Sequence, residues 1–417
     1  MASLTSFFVL LVFLVSTYAA QKTTRGSNRV RRSFSASFSL TASSSTAGIN
    51  YKSAVNYSTT ALIVSLPIGT PPQEQKMVLD TGSQLSWVTC NQKPPTTSFD
   101  TSLSSSFSVL PCEHAICKPR VPDFTLPTTC DPHKICHYSY FFADGTLAEG
   151  NLVKERVSLS DSRTTPPLIL GCAASETSAA GQSEGILGMN RGRLSFASQA
   201  KVRKFSYCVP GRRTVPAAGT LYLGTNPNSR TFQYVNLLSF PEPQGMPNLD
   251  PLAYTVALSG IRIGGKKLNI SASVFRPNAG GSGQTIIDSG TEYTFLVDTA
   301  YDAVRGEILR RAGAKLKKGY VYQESMDMCF AGNRTEIEQL IGDMVFRFDN
   351  GVEIVIGKDR TLEGVGGGIL CVGIGRSEVL GVTSNIIGNF HQQNLWVEFD
   401  LAGQRVGFGK ADCSRGG

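Results

Sequence analysis

Four histidines in 417 residues is a short supply, and none is spaced with a serine or cysteine as the general base of a nucleophile triad would be. After the N-terminal run Phe7-Phe8-Val9-Leu10-Leu11-Val12-Phe13-Leu14-Val15, no second apolar stretch of bilayer-spanning length appears. The tail Ala411-Asp412-Cys413-Ser414 lacks the apolar run that a lipid-anchor signal needs. A mature protein without a membrane anchor is therefore expected. Residues 21–55 contain no Asp or Glu, yet hold Lys22, Arg25, Arg29, Arg31, Arg32 and Lys52. These cations account for most of the formal net charge of +8, so the remainder is close to neutral and carries no nucleic-acid footprint. The first residues also lack Lys or Arg, which departs from the usual signal-peptide start.

What is present points to the secretory route. Met1 to Ala20 is an apolar core followed by small residues, the pattern of a cleavable signal peptide and too short for a membrane span. Residues 21–56 then read as a basic segment rich in Ser, Thr and Ala that has little to bury. It is expected to be a removable pro-segment whose cations cover an acidic cleft until the pH falls; a solvated tail is the plainer alternative. Ten cysteines, an even number, imply five disulfides in that compartment, with connectivity left open by spacing alone. Asn56, Asn269 and Asn333 each open an Asn-x-Ser/Thr triplet and are glycosylation candidates.

From Ala61 onward, short apolar runs alternate with turn residues, and the chain carries 42 glycines and 20 prolines. Ala61 to Leu66 and Gly219 to Gly224 read as strands, and Ile261 to Lys267 as a hairpin. One helix is expected from about Thr299 to Ala312, capped by Asp298, with Tyr301, Val304, Ile308 and Leu309 on one face. Residues 241–251 (Pro-Glu-Pro-Gln-Gly-Met-Pro-Asn-Leu-Asp-Pro) cannot hold regular structure and read as a linker. The length exceeds what one hydrophobic core usually supports. Two β-rich domains are expected, 57–240 and 252–417.

The two halves repeat each other. Met77-Val78-Leu79-Asp80-Thr81-Gly82-Ser83 is matched by Thr285-Ile286-Ile287-Asp288-Ser289-Gly290-Thr291. Gly185-Ile186-Leu187-Gly188 follows Asp80 at much the same interval as Asn385-Ile386-Ile387-Gly388 follows Asp288. A single Asp-Thr-Gly is usually just a turn, but two copies with matched apolar leads suggest two acids facing one another. Carboxylates roughly 3 Å apart cannot both ionise easily, so they share a proton and titrate as a unit. The charged partner then acts as base on a water held between them, and the protonated partner donates to a peptide carbonyl. This chemistry needs no metal and no cofactor. Gly82 and Gly290 permit the tight turns. Thr81 and Ser289 are placed to hold the loops together, and Ser83 and Thr291 to donate to the outer carboxylate oxygens.

With these residues in view, the sequence resembles the pepsin-like aspartic endopeptidases over about residues 57 to 415. Asp80-Thr81-Gly82-Ser83 with Trp87 matches the first catalytic loop, and Asp288-Ser289-Gly290-Thr291 the second. The stretch from Cys136 to Thr146 resembles the flap hairpin that closes over substrate, placing Tyr140, Phe142, Asp144 and Gly145 at the flap. Phe205-Ser206-Tyr207-Cys208 and residues 386–394 resemble the plant nepenthesin/nucellin-like branch. Gln84-Leu85-Ser86-Trp87 and Ala143-Asp144-Gly145-Thr146 are most similar to its "promotion of cell survival" type. The resemblance implies an all-β, bilobal pepsin-like fold with two pseudo-two-fold related lobes and a few short helices. It implies a monomer that cleaves polypeptide at acidic pH. It also implies the pairs Cys112–Cys136, Cys117–Cys130, Cys90–Cys172, Cys208–Cys413 and Cys329–Cys371. The expected location is the extracellular space or apoplast, or retention in the endoplasmic reticulum or vacuole.

One departure stands at the flap. The family's tyrosine aligns with Phe142, so the indole N–H of Trp87 loses its usual hydroxyl partner unless Tyr140 supplies one. The competing chemistry is a zinc knuckle at Cys130-x-x-His133-x-x-Cys136-His137, which needs free thiolates that a secreted chain tends to oxidise. The competing function is a catalytically weak or inactive binding or inhibitor protein on the same scaffold. Such relatives lose an acid or distort a loop, whereas both acids and all four hydroxyl neighbours are present here.

Overall fold

The structure is a computed structural model and describes residues 51–58, 61–91, 98–118, 128–143, 145–160, 163–177, 185–212, 218–240 and 246–415. The expected signal peptide, nearly all of the basic leader, Asp144 and residues 241–245 of the expected linker lie outside these. Among the described residues no helix is long and apolar enough to cross a membrane.

Two kinds of strand arise from two kinds of apolar pattern. Ala61–Ile68 is a near-continuous apolar run, and all but two of its residues are buried. It sits inside the sheet, flanked by Tyr51–Ser58 and Gln73–Asp80, as a strand covered on both faces should. Leu147–Glu155 instead alternates, with Ala148 and Leu152 inward, and forms the longer arm of a hairpin with Cys136–Phe141. Between Leu258–Ile263 and Lys266–Lys267 only Gly264 and Gly265 intervene. Both have positive φ, at +52° and +82°, which a two-residue turn matching the strand twist requires and which glycine adopts without strain.

Among the described residues a fifteen-stranded sheet runs through both halves of the chain. The C-terminal hairpin of Leu395–Asp400 and Arg405–Lys410 pairs with Lys204–Cys208 of the first half. Phe205 stacks on Phe399 at this seam with ring centroids 4.7 Å apart, and Tyr254 packs against the same ring at 4.3 Å. The disulfide Cys208–Cys413 closes the seam covalently. The result is the expected all-β, bilobal, pepsin-like arrangement.

The sequence repeat is also a repeat of topology. In the first half, Gln73–Asp80 runs parallel to Gly185–Gly188, which pairs antiparallel with Trp87–Thr89, which in turn runs parallel to Leu168–Thr177. In the second half, Thr285–Ile287 runs parallel to Asn385–Ile387, which pairs antiparallel with Thr294–Leu296, itself parallel to Ile374–Arg376. Each Asp therefore leaves the end of a buried strand whose neighbour is the apolar-apolar-Gly motif of its own half.

Residues 51–56, which composition assigns to the leader, lie in the strand Tyr51–Ser58, with Tyr51 and Val55 buried. Asp298 is the first residue of the helix Asp298–Ala312 rather than its cap, and its carboxylate pairs with Arg376 at 2.9 Å. The predicted face holds, with Tyr301, Val304 and Ile308 buried and Leu309 partly so. The disulfides expected as Cys112–Cys136 and Cys117–Cys130 are instead Cys112–Cys130 and Cys117–Cys136. Depth explains the exchange. Cys117 and Cys136 are both buried, whereas Cys130 is exposed and Cys112 only half-buried, so like pairs with like. The remaining pairs are Cys90–Cys172, Cys208–Cys413 and Cys329–Cys371.

Candidate active site

The two Asp loops clasp one another at the seam. The Thr81 N–H donates to the Ser289 hydroxyl at 3.1 Å, and the Ser289 N–H donates to the Thr81 hydroxyl at 2.9 Å. The Ser289 hydroxyl in turn donates to the Leu79 carbonyl at 2.7 Å, and the Thr81 hydroxyl lies 3.2 Å from Asp288 Oδ1. Each carboxylate is held the same way. Asp80 accepts from the Gly82 N–H at 2.8 Å and from the Ser83 hydroxyl. Asp288 accepts from the Gly290 N–H at 3.0 Å and from the Thr291 hydroxyl at 2.5 Å.

The glycines are needed for space as much as for the turn. A Cβ on Gly290 would stand 2.1 Å from Asp80 Oδ1, and one on Gly82 would stand 3.0 Å from Asp288 Oδ2. Each loop thus presents its backbone to the other loop's acid. Both Asp residues are 7% exposed. Burial, and then the charge of Asp288, push the Asp80 carboxyl up to about 7 against the pull of its Ser83 and Gly82 donors. The Asp80 carboxyl therefore keeps its proton through the acidic range.

Supporting contacts come from residues to which the sequence motifs assign no role. The Gln392 amide donates to the Asp288 carbonyl at 3.0 Å and to the Ile387 carbonyl at 2.8 Å, and the Tyr207 hydroxyl donates to its oxygen. Asn389 donates to the Ser289 carbonyl at 3.0 Å; in the first half the Asn190 amide reaches the Gly82 carbonyl at 3.5 Å. The signal was available, since both halves carry Asn just beyond the apolar-apolar-Gly motif. Asp250 was missed. It is half-buried, and its carboxyl is raised by desolvation and by the charge of Asp288.

At the flap, Tyr140 and Phe142 point to the same side of the hairpin, with ring centroids 4.7 Å apart and edge to face. Both pack on the cluster that contains Trp87, Leu85 and Tyr138. Both are half-buried, and it is Tyr140 that reaches the first loop. Its hydroxyl accepts from the Gln84 N–H, and burial together with the charge of Asp80 holds it well above the usual tyrosine range. The indole N–H of Trp87 is buried and has no hydrogen-bond partner among the described residues. Tyr140 thus brings its hydroxyl toward the first loop, but not to the indole. Gly145 sits at the tip with a φ of +86° and donates to the Phe142 carbonyl at 3.0 Å.

The remaining candidates lie elsewhere. Asn269 and Asn333 are exposed, and Asn333 also caps the helix Arg334–Ile341 by accepting from the Glu336 N–H at 3.1 Å. Asn56 falls in the strand Tyr51–Ser58. Cys130 and Cys136 are each in a disulfide. Among the described residues no three His, Cys, Asp or Glu side chains converge as a metal ligand set.

Two β-lobes that pass paired Asp loops across a shared sheet make up the pepsin-like frame. Family models described as xylanase inhibitor N-terminal and xylanase inhibitor C-terminal match residues 62–225 and 253–410. The sequence is 38% identical over 381 residues to aspartic proteinase PCS1 of Arabidopsis thaliana, spanning 85% of this chain and 83% of that relative. It is 32% identical over 361 residues to aspartic proteinase nepenthesin-1 of Nepenthes gracilis, spanning 84% and 78%. The chain belongs to the pepsin-like aspartic proteinase family, in its plant nepenthesin-like branch. Among solved structures, one described as edgp superposes with a TM-score of 0.67 at 20% identity, covering 88% of this chain and 96% of the other. Basic 7S globulin from soybean superposes with a TM-score of 0.66 at 17% identity, covering 88% and 99%. At such identities these two speak for the fold alone.

Proposed function

We propose that this protein is an aspartic endopeptidase that uses Asp80 and Asp288 to activate a water against a peptide carbonyl at acidic pH. The observation that carries the reading is the reciprocal clasp of the two loops, which buries both acids and gives each the same pair of donors. A pair that shares one proton supplies base and acid together. The ionised partner takes a proton from the water as its oxygen attacks the carbonyl carbon. The protonated partner donates to the carbonyl oxygen, and the tetrahedral adduct collapses as the amine leaves with a proton. Polypeptide substrate would lie extended between the lobes under the hairpin that carries Tyr140 and Phe142, adding a strand to the protein's own. The relatives named aspartic proteinases agree with this reading. Five disulfides favour an oxidising secretory compartment, and the basic leader is the segment we expect to be removed before activity.

A second reading has a specific observation behind it. The unpartnered Trp87 indole beneath Phe142 is a flap feature altered from the family pattern. The matching family models are described as xylanase inhibitor domains, so a binding protein on this scaffold is the competitor. The two part on one assay: the leader-processed protein with casein or haemoglobin at acidic pH, with and without pepstatin. Pepstatin-sensitive fragments support the endopeptidase. Intact substrate with a folded protein supports the binder.

A further inference from the structure

The loop between Lys204–Cys208 and Gly219–Leu223 belongs to the first half of the chain, yet Arg212 within it lands on the second catalytic loop. Its guanidinium meets Glu292 at 2.7 Å and Glu363 at 3.9 Å. The same group lies over the rings of Tyr293 and Phe390, 5.7 and 5.4 Å from their centroids. Its backbone N–H donates to the Gln393 side chain at 3.1 Å. Only 13% of the Arg212 side chain and 14% of the Glu292 side chain are exposed, so water screens this pair little.

Two of the residues touched here, Glu292 and Gln393, adjoin groups that hold Asp288. Glu292 follows Thr291, whose hydroxyl holds Asp288 Oδ2, and the Glu292 carbonyl accepts from the Phe390 N–H at 2.8 Å. Gln393 follows Gln392, which holds the Asp288 carbonyl. We infer that Arg212 is a positioning residue: a clamp from the first lobe that fixes the second acid's loop by gripping Glu292 and covering Tyr293 and Phe390. The inference rests on the endopeptidase reading for its effect on turnover, but not for its effect on the loop. Arginine suits the task because a planar fork can pair with a carboxylate and lie on aromatic faces at once, which an ammonium cannot.

The clamp is graded by pH. Arg212, Tyr293 and Glu363 face Glu292, and Tyr322 packs edge-on against Tyr293. Burial raises the Glu292 carboxyl above its ordinary value; Arg212 and the Tyr293 contact pull it back, and Glu363 pushes it up. Because the net shift is upward, the ion pair is complete above that raised value. It weakens to a neutral hydrogen bond as the pH falls through it.

The test uses the full chain and its Arg212→Gln, Arg212→Lys and Glu292→Gln variants. Hydrogen exchange across residues 288–293 is expected to speed up about tenfold in Arg212→Gln near neutral pH, less in acid, with Arg212→Lys between the two. In the Glu292→Gln background the Arg212→Gln effect should shrink. For kinetics, kcat should fall about five- to tenfold with KM within about twofold, and the loss should grow toward the alkaline side of the profile. Unchanged exchange in Arg212→Gln overturns the clamp whatever the activity. A loss confined to KM, or one equal at all pH values, overturns its positioning role. Faster exchange in Arg212→Gln, together with a wild-type protein that cleaves nothing, upholds the clamp and sinks only the endopeptidase reading.

Discussion

Asp80 and Asp288 differ from ordinary surface acids in what surrounds them, and the sharpest predictions follow from that. Asp80→Asn or Asp288→Asn each removes the ionisable half of a shared proton site while keeping shape and most hydrogen bonds. Either should abolish peptide cleavage while leaving the thermal unfolding profile in acid nearly intact; residual turnover above a few per cent in either would speak against a joint role. Gly290→Ala should be nearly as damaging for a steric reason, since its Cβ would lie 2.1 Å from Asp80 Oδ1. A displacement of that acid should cost about a hundredfold in kcat. Phe142→Tyr runs the other way. Supplying an acceptor to the buried Trp87 indole is worth about 1 kcal/mol, or about a fivefold gain in kcat. An unchanged or lower kcat would mean that a water already serves the indole.

Elements, more than single residues, decide how legible this protein was. The two Asp loops and the apolar-apolar-Gly strands beside them could be read because each motif occurs twice, and the structure pairs them strand against strand in both halves. The hairpin at Gly264-Gly265 and the apolar face of the helix were legible from local period and turn chemistry. The disulfide exchange among Cys112, Cys117, Cys130 and Cys136 was not, because pairing followed depth, and depth is fixed only once Cys136 is inside a strand. Arg212 and Asp250 escaped for a related reason. Arg212 takes its meaning from a contact with the other half of the chain, and Asp250 from the charge of Asp288, remote in sequence; no local pattern encodes either. The first strand was hidden by composition, since its Ser and Lys continue the leader's character while Tyr51 and Val55 turn inward. Removal of the leader up to residue 50 should leave stability nearly unchanged. A cut after Val55 should leave the facing edges of Ala61–Ile68 and Gly219–Leu223 unpaired and give an aggregating or strongly destabilised protein. Equal stability of the two truncations, measured by thermal unfolding, would show the strand to be dispensable.

At the scale of the whole molecule, the seam sets how stability depends on pH. The Asp80 carboxyl is raised in the folded state, chiefly by burial, so the fold binds more protons than the unfolded chain between the ordinary carboxylate range and about 7. Stability from this group is therefore present in acid and lost as the pH rises through that window. Glu292 shifts in the same direction. The protein should unfold at a higher temperature near pH 4 than near pH 8, with the leader removed, and Asp80→Asn should flatten that dependence. A wild-type midpoint that climbs steadily from pH 4 to pH 8 would contradict the assigned shift.

The most direct measurement is digestion of haemoglobin by the leader-processed protein at acidic pH, run beside Asp80→Asn and Asp288→Asn. The paired-acid mechanism requires pepstatin-sensitive fragments from the wild type and none from either variant. Intact haemoglobin in all three lanes, with each protein folded, would mean that the clasped acids do no chemistry.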